Sequence, residues 1–109
     1  MRASERTEAP FEMANLFPKH TGLPFVVWIS YRGGARHDVR VKVSRTAKAM
    51  PGEMASVAIR PDVYVVEGSV SPQELELLRT WIGLNRQALT AYWNGEIDTQ
   101  DALEALVKI

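Results

Sequence analysis

Two histidines, His20 and His37, and no cysteine are all the imidazole and thiol chemistry this chain of 109 residues has. A zinc centre needs three or four N, S or O ligands in convergent geometry. His37 and Asp38 are neighbours on a predicted strand, so they point to opposite faces, and His20 lies in a predicted loop; no metal site and no cofactor are expected. The missing cysteines remove disulfides, thiol catalysis and Cys-based zinc sites. Ser30 stands across from His37 or one register away, a spacing that invites a nucleophile and its base. No G-x-S-x-G turn or oxyanion loop accompanies it, and a strand serine beside an edge histidine is ordinarily structural. Glu74, Glu76 and Glu104 are helix-surface acids. Gly33-Gly34 marks a hairpin turn rather than a phosphate loop, because no helix start follows it. The chain is therefore expected not to be an enzyme.

Binding chemistry is better represented. Trp28, with Arg36, Arg40 and Lys42 opposite, puts an aromatic ring among cations on one face of a predicted hairpin. Three readings fit that pattern. The ring is covered by the Phe11–Phe17 segment or by Arg40 lying over it; the face takes a protein partner or a second copy; or it binds nucleic acid, with bases stacked on the ring and phosphates on Arg and Lys. Asn85 is the other polar residue of interest, planted in the apolar arc of a long helix. A buried amide left without partners costs about 1–3 kcal/mol. Asn85 is thus expected to tie down a neighbouring loop or fix packing register, with a ligand pocket as the alternative.

The elements that position these residues come next. Ser71 to Asn94 is one amphipathic helix, with Ser71 as N-cap, Pro72 at the first helical position and Glu74 closing a capping box. Leu75, Leu78, Ile82, Asn85, Leu89 and Tyr92 form one stripe and Leu77, Trp81, Leu84 and Ala88 a second. Together they span an apolar arc of roughly 200° that needs cover on more than one side. Phe25–Arg32 is rich in β-branched and aromatic residues, and Arg36–Ser44 alternates valines with polar residues; both are strands. A three-residue turn pairs Ile29 with Val39 and Val27 with Val41, since a one-residue slip would flip the faces. Phe25, Val27, Ile29 and Tyr31 then face the core with Val39, Val41 and Val43, and Trp28 faces outward. Arg45–Met54 is a loop, Ala55–Arg60 and Val63–Glu67 are a third and a fourth strand, and Asp98 caps a last helix from Thr99 to about Val107. Phe11–Phe17 makes a short turn of helix before Pro18, and Met1–Pro10 is a disordered tail. The fold class is α+β in the order ββββαα: a four-stranded antiparallel meander followed by a long and a short helix, one domain over 11–109.

Net charge is zero, so no global field draws the chain to nucleic acid or membrane. The charges are nonetheless segregated. From Arg32 to Lys48, six Lys/Arg stand against Asp38 alone; from Glu67 onward, seven acids stand against three cations. No apolar run approaches the ~20 residues of a membrane span, and MRASERTEAP lacks the apolar segment of a secretory signal. A cytoplasmic location without membrane contact is expected.

The run Trp81-Ile82-x-Leu84-Asn85-x-x-x-Leu89-x-x-x-Trp93, followed by a short acidic helix, resembles the tail of a small bacterial domain-of-unknown-function family. Trp28 to Val43 is similar to that family's N-terminal hairpin. The family often carries Pro-Pro-His-x-His before its second strand, where this chain has Ala35-Arg36-His37-Asp38-Val39 and lacks the paired histidine. Members are often encoded near toxin–antitoxin-like or mobile elements, so the resemblance implies a regulatory, antitoxin-like interaction module. The expected function is a non-catalytic protein-interaction module whose binding residues are Trp28, Arg36, Arg40 and Lys42. Its partner is a protein or a second copy. The alternatives are a nucleic-acid-binding domain using the same face, and a small ligand-binding domain or enzyme with a pocket near Asn85.

Overall fold

The computed structural model describes residues 13–48 and 51–109. The first strand, β1, runs Met13–Leu16, followed by a single helical turn α1 at Pro18–Thr21. Then come β2 (Val26–Ser30), β3 (Arg40–Ser44), β4 (Ala55–Ala58), β5 (Tyr64–Glu67), α2 (Pro72–Trp93) and α3 (Thr99–Ala105). The five strands form one antiparallel sheet in sequence order. The fold is α+β with an antiparallel meander followed by helices, as the sequence predicts, but with five strands instead of four.

The additional strand comes from the Phe11–Phe17 segment, expected as helix; its first two residues, and the expected tail before them, lie outside the described residues. A local constraint and a tertiary one override helix propensity here. Pro18 holds Phe17 extended, at φ −83° and ψ 165°. The free edge of β2 offers a hydrogen-bonding ladder, and Leu16 pairs with Val27 and is buried beside it.

The β2–β3 register also differs from the expected one. Val27 pairs with Val43 and Trp28 with Lys42, a shift of two residues from the expected Val27–Val41 pairing. A two-residue shift preserves which face each side chain occupies. Phe25, Val27, Ile29, Val39, Val41 and Val43 are accordingly all buried in the core, and Tyr31 packs partly buried against it. The cause lies in the connection. Arg32 N–H leaves the ladder and donates to the Trp93 carbonyl at 2.8 Å, and Ala35 N–H closes a turn onto the Arg32 carbonyl. Residues 31–39 therefore form a long connection, and the second strand begins at Arg40 rather than Arg36.

α2 lies over the valine face. Ser71 Oγ accepts from Glu74 N–H and Glu74 Oε1 accepts from Ser71 N–H, the reciprocal pair of a capping box. Leu78, Trp81, Ile82, Asn85, Leu89, Tyr92 and Trp93 are buried. The second predicted stripe is fully buried only at Trp81: Ala88 is half-buried, Leu77 is 39% exposed and Leu84 56%. The apolar arc is thus narrower in effect than its residue types imply. α3 folds back beside α2, buries Ala102 and joins it through the Tyr92 and Thr99 hydroxyls, 2.9 Å apart. Beyond α3, Ile109 N–H donates to the Thr21 carbonyl, pinning the chain to α1.

A cationic, aromatic recess as the candidate functional site

Pairing across the sheet sets one row of side chains on the outer face: Asn15, Trp28, Lys42, Ser56 and Glu67, one from each strand. Beside this row opens a recess of about 480 Å³. Its aromatic lining is Trp28, Tyr31 and Trp93, and its cations are Arg32, Arg40 and Lys42. His37, Met54, Ser56 and Glu67 complete much of the remaining wall.

Trp28 lies on the outer face but does not stand bare there; of the readings the sequence allowed, the ring is covered. It is 7% exposed, and its indole Nε1 donates to Ser44 Oγ at 2.8 Å. That hydroxyl in turn donates to the Thr46 carbonyl at 2.7 Å. The actual register explains the difference: with Trp28 opposite Lys42, Ser44 becomes its diagonal neighbour on the same face, within reach of a long side chain. The indole is a fixed wall of the recess, satisfied inside the protein, and is no open stacking platform.

The other walls come from distant parts of the chain. Trp93, the last residue of α2, is buried and lies 5.4 Å from the His37 ring, centroid to centroid. Tyr31 stacks on Tyr92 at 4.4 Å. His37 Nδ1 lies 2.8 Å from the Asp38 carbonyl. A carbonyl has no proton to give, so Nδ1 is the donor in this contact.

Three arginines outside the recess are paired. Arg45 pairs with Glu74, Arg79 with Glu76, and Arg60 holds Asp38 in a two-bond fork at 2.7 and 2.9 Å. That guanidinium, aided by the Val39 N–H, lowers the Asp38 carboxyl from 3.8 to about 2. Among the described residues, Arg32, Arg36, Arg40 and Lys42 have no carboxylate within ion-pair distance. Of the four predicted binding residues, the structure brings Trp28, Arg40 and Lys42 together; Arg36 is exposed and lies outside the recess lining. Sequence reasoning missed Trp93 and placed Tyr31 wholly in the core. The Arg32–Trp93 main-chain bond ties the end of α2 to the segment that follows β2, and no spacing in the sequence signals it.

Asn85 is 3% exposed and every bond its side chain makes goes to main chain. Nδ2 donates to the carbonyls of Trp81 and Val107, both at 2.9 Å, and Oδ1 accepts from Val107 N–H at 2.7 Å. Both amide hydrogens and the amide oxygen are thereby engaged, the last on the segment that follows α3. His20 likewise serves its own turn, with Nδ1 accepting from Phe17 N–H. Among the described residues, no group of three or more His, Asp or Glu is placed to hold a metal ion. No helix among them is long and apolar enough to cross a membrane.

Residues 47–94 match the family model described as Domain of unknown function (DUF4160). The match takes in β4, β5 and α2, and with them Asn85 and the Trp81–Trp93 run that carries the sequence resemblance. It supplies Met54, Ser56, Glu67 and Trp93 to the recess and leaves the strands bearing Trp28, Arg40 and Lys42 outside it. No curated protein matches the chain, and no solved structure does.

Proposed function

We propose that this protein is a non-catalytic interaction module that uses the outer-face recess to hold an acidic segment of a protein partner. One observation carries the proposal: three aromatic rings converge with Arg32, Arg40 and Lys42, which among the described residues make no ion pair and outnumber the one carboxylate of the lining, Glu67. Complementary charge gives specificity and fast association, while aromatic walls supply desolvated contact area at low entropic cost. A regulatory role of the antitoxin kind, which the sequence resemblance implies, is one use for such a module. Nucleic acid on the same face is the weaker reading, because stacking needs an open ring and Trp28 is buried and hydrogen-bonded.

The test follows the Trp28 indole N–H by NMR during titration with a Glu/Leu-rich peptide, a Lys/Leu-rich peptide and a single-stranded oligonucleotide. The acidic peptide is expected to shift the Trp28 and His37 signals, and R40E/K42E to abolish the shift while leaving the melting temperature within a few degrees. Binding of the oligonucleotide alone, or acidic-peptide binding that survives R40E/K42E, would sink the proposal.

A further inference from the structure

We infer that the acidic segment which best fits the recess is the α3 edge of a second copy of this chain, so that copies associate head to tail. The inference rests on the reading of the recess as a docking site for acidic segments. The charges left over inside one copy motivate it. Once Arg45–Glu74, Arg60–Asp38 and Arg79–Glu76 are set aside, eight cations among the described residues have no carboxylate within ion-pair distance; Lys19, Lys48, Arg86 and Lys108 are scattered along the chain, while Arg32, Arg36, Arg40 and Lys42 fall within eleven residues, three of them lining the recess beside Glu67. At the other end of the chain, Glu96, Asp98, Asp101 and Glu104 are exposed, and among the described residues none pairs with a cation. Asp98 and Asp101 each accept the other's backbone N–H in the capping box, which leaves further lone pairs on both carboxylates.

The α3 edge also presents apolar surface. Leu103 is 47% exposed and Val107, one turn on, is 49% exposed. An outward leucine flanked by carboxylates complements an aromatic recess rimmed by cations, and Leu103 is the knob that would seat among Trp28, Tyr31 and Trp93.

The α3 edge does not serve its own copy's recess. Val107 is held at both its N–H and its carbonyl by Asn85, and Ile109 N–H by the Thr21 carbonyl. These bonds keep the segment on the helix side of the sheet, and no residue after Trp93 lines the recess. Each copy therefore carries one acidic donor and one basic acceptor on separate surfaces. That geometry makes a heterologous contact, which closes into a ring or extends as a chain.

The experiment is light scattering coupled to size exclusion on the full chain, at low and high salt, for the wild type, R40E/K42E and D101K/E104K. Wild type is expected to run at a multiple of the monomer mass at low salt and to fall to monomer at high salt, because rim charges are screened. Each variant alone is expected to be a monomer. Mixed together, they are expected to give a one-to-one complex, since one retains the acidic edge and the other the basic recess. The milder D101N/E104Q, checked by circular dichroism, guards against a folding defect and is expected to weaken association as well. A wild type that is monomeric at every concentration overturns the inference, as does self-association that both charge reversals leave unchanged. A monomeric wild type that still binds the Glu/Leu-rich peptide would end this inference alone and leave the docking site standing.

Discussion

Asn85 shows how one side chain can replace a strand. Its amide offers a donor and an acceptor to the backbone of Val107, the pattern a neighbouring strand would supply, and its second N–H bonds the Trp81 carbonyl within α2. Asn85→Ala leaves both Val107 groups without a protein partner, and the expected loss is about 1–3 kcal/mol of unfolding free energy. Urea denaturation measures it, and faster hydrogen exchange at the Val107 amide localises it; an unchanged exchange rate there would contradict the assigned role. Asp38 makes a different kind of prediction. Arg60 depresses its folded pKa to about 2, below the ordinary 3.8. The sign follows: its contribution to stability is fully present above the unfolded value and is lost as pH falls through the folded one. Asp38→Asn should therefore lower stability modestly at neutral pH, where the contribution is whole, flatten the loss between those two values and make no difference below the folded one; the effect is small because the pair is about half exposed. Acid titration followed by circular dichroism distinguishes the two curves.

Among the elements, α2 is the organiser, and its start is tied twice. Ser71 and Glu74 cap each other, and Glu74 also takes the Arg45 guanidinium from the end of β3. The Arg45 contact first, and the Ser71 N–H second, hold the Glu74 carboxyl below its usual range. Ser71→Ala should cost about 1 kcal/mol, the typical effect of losing an N-cap side chain, and chemical denaturation would detect it. β1 is the element most dependent on its neighbours. Met13–Leu16 has no strand signature of its own and is extended because β2 presents a free edge and Pro18 forbids a helical Phe17. Gly68 illustrates a close approach between elements: at φ 81°, a Cβ placed there would lie 2.8 Å from the Ala55 backbone, so the turn out of β5 runs against the start of β4.

For the molecule as a whole, the sheet separates two jobs. Its valine face buries α2 and forms the core, while the other face forms a recess whose cations, among the described residues, make no ion pair. With net charge zero, it is the segregation of charge rather than its total that gives the surface direction. Salt sensitivity is therefore expected of docking at the recess. Folding free energy should depend on salt far less, because the core is apolar and partly exposed ion pairs of this kind contribute little.

The residue order by itself determines a good deal. Alternation of valines fixes the core face of β3, which a two-residue shift of register leaves unchanged because it keeps parity; the capping box places the start of α2; and a buried amide had to find partners. It also puts tryptophan and cations on one face. Tertiary structure alone decided the rest. The strand count turned on an edge that exists only once β2 is in place. The register turned on a main-chain bond from Arg32 to Trp93, more than sixty residues apart in sequence. Whether Trp28 lay bare or formed a wall turned on that register, because it brought Ser44 within reach. Periodicity reports which face a side chain takes, and that is a local property; which partner it meets there depends on long-range pairing, which local patterns do not encode.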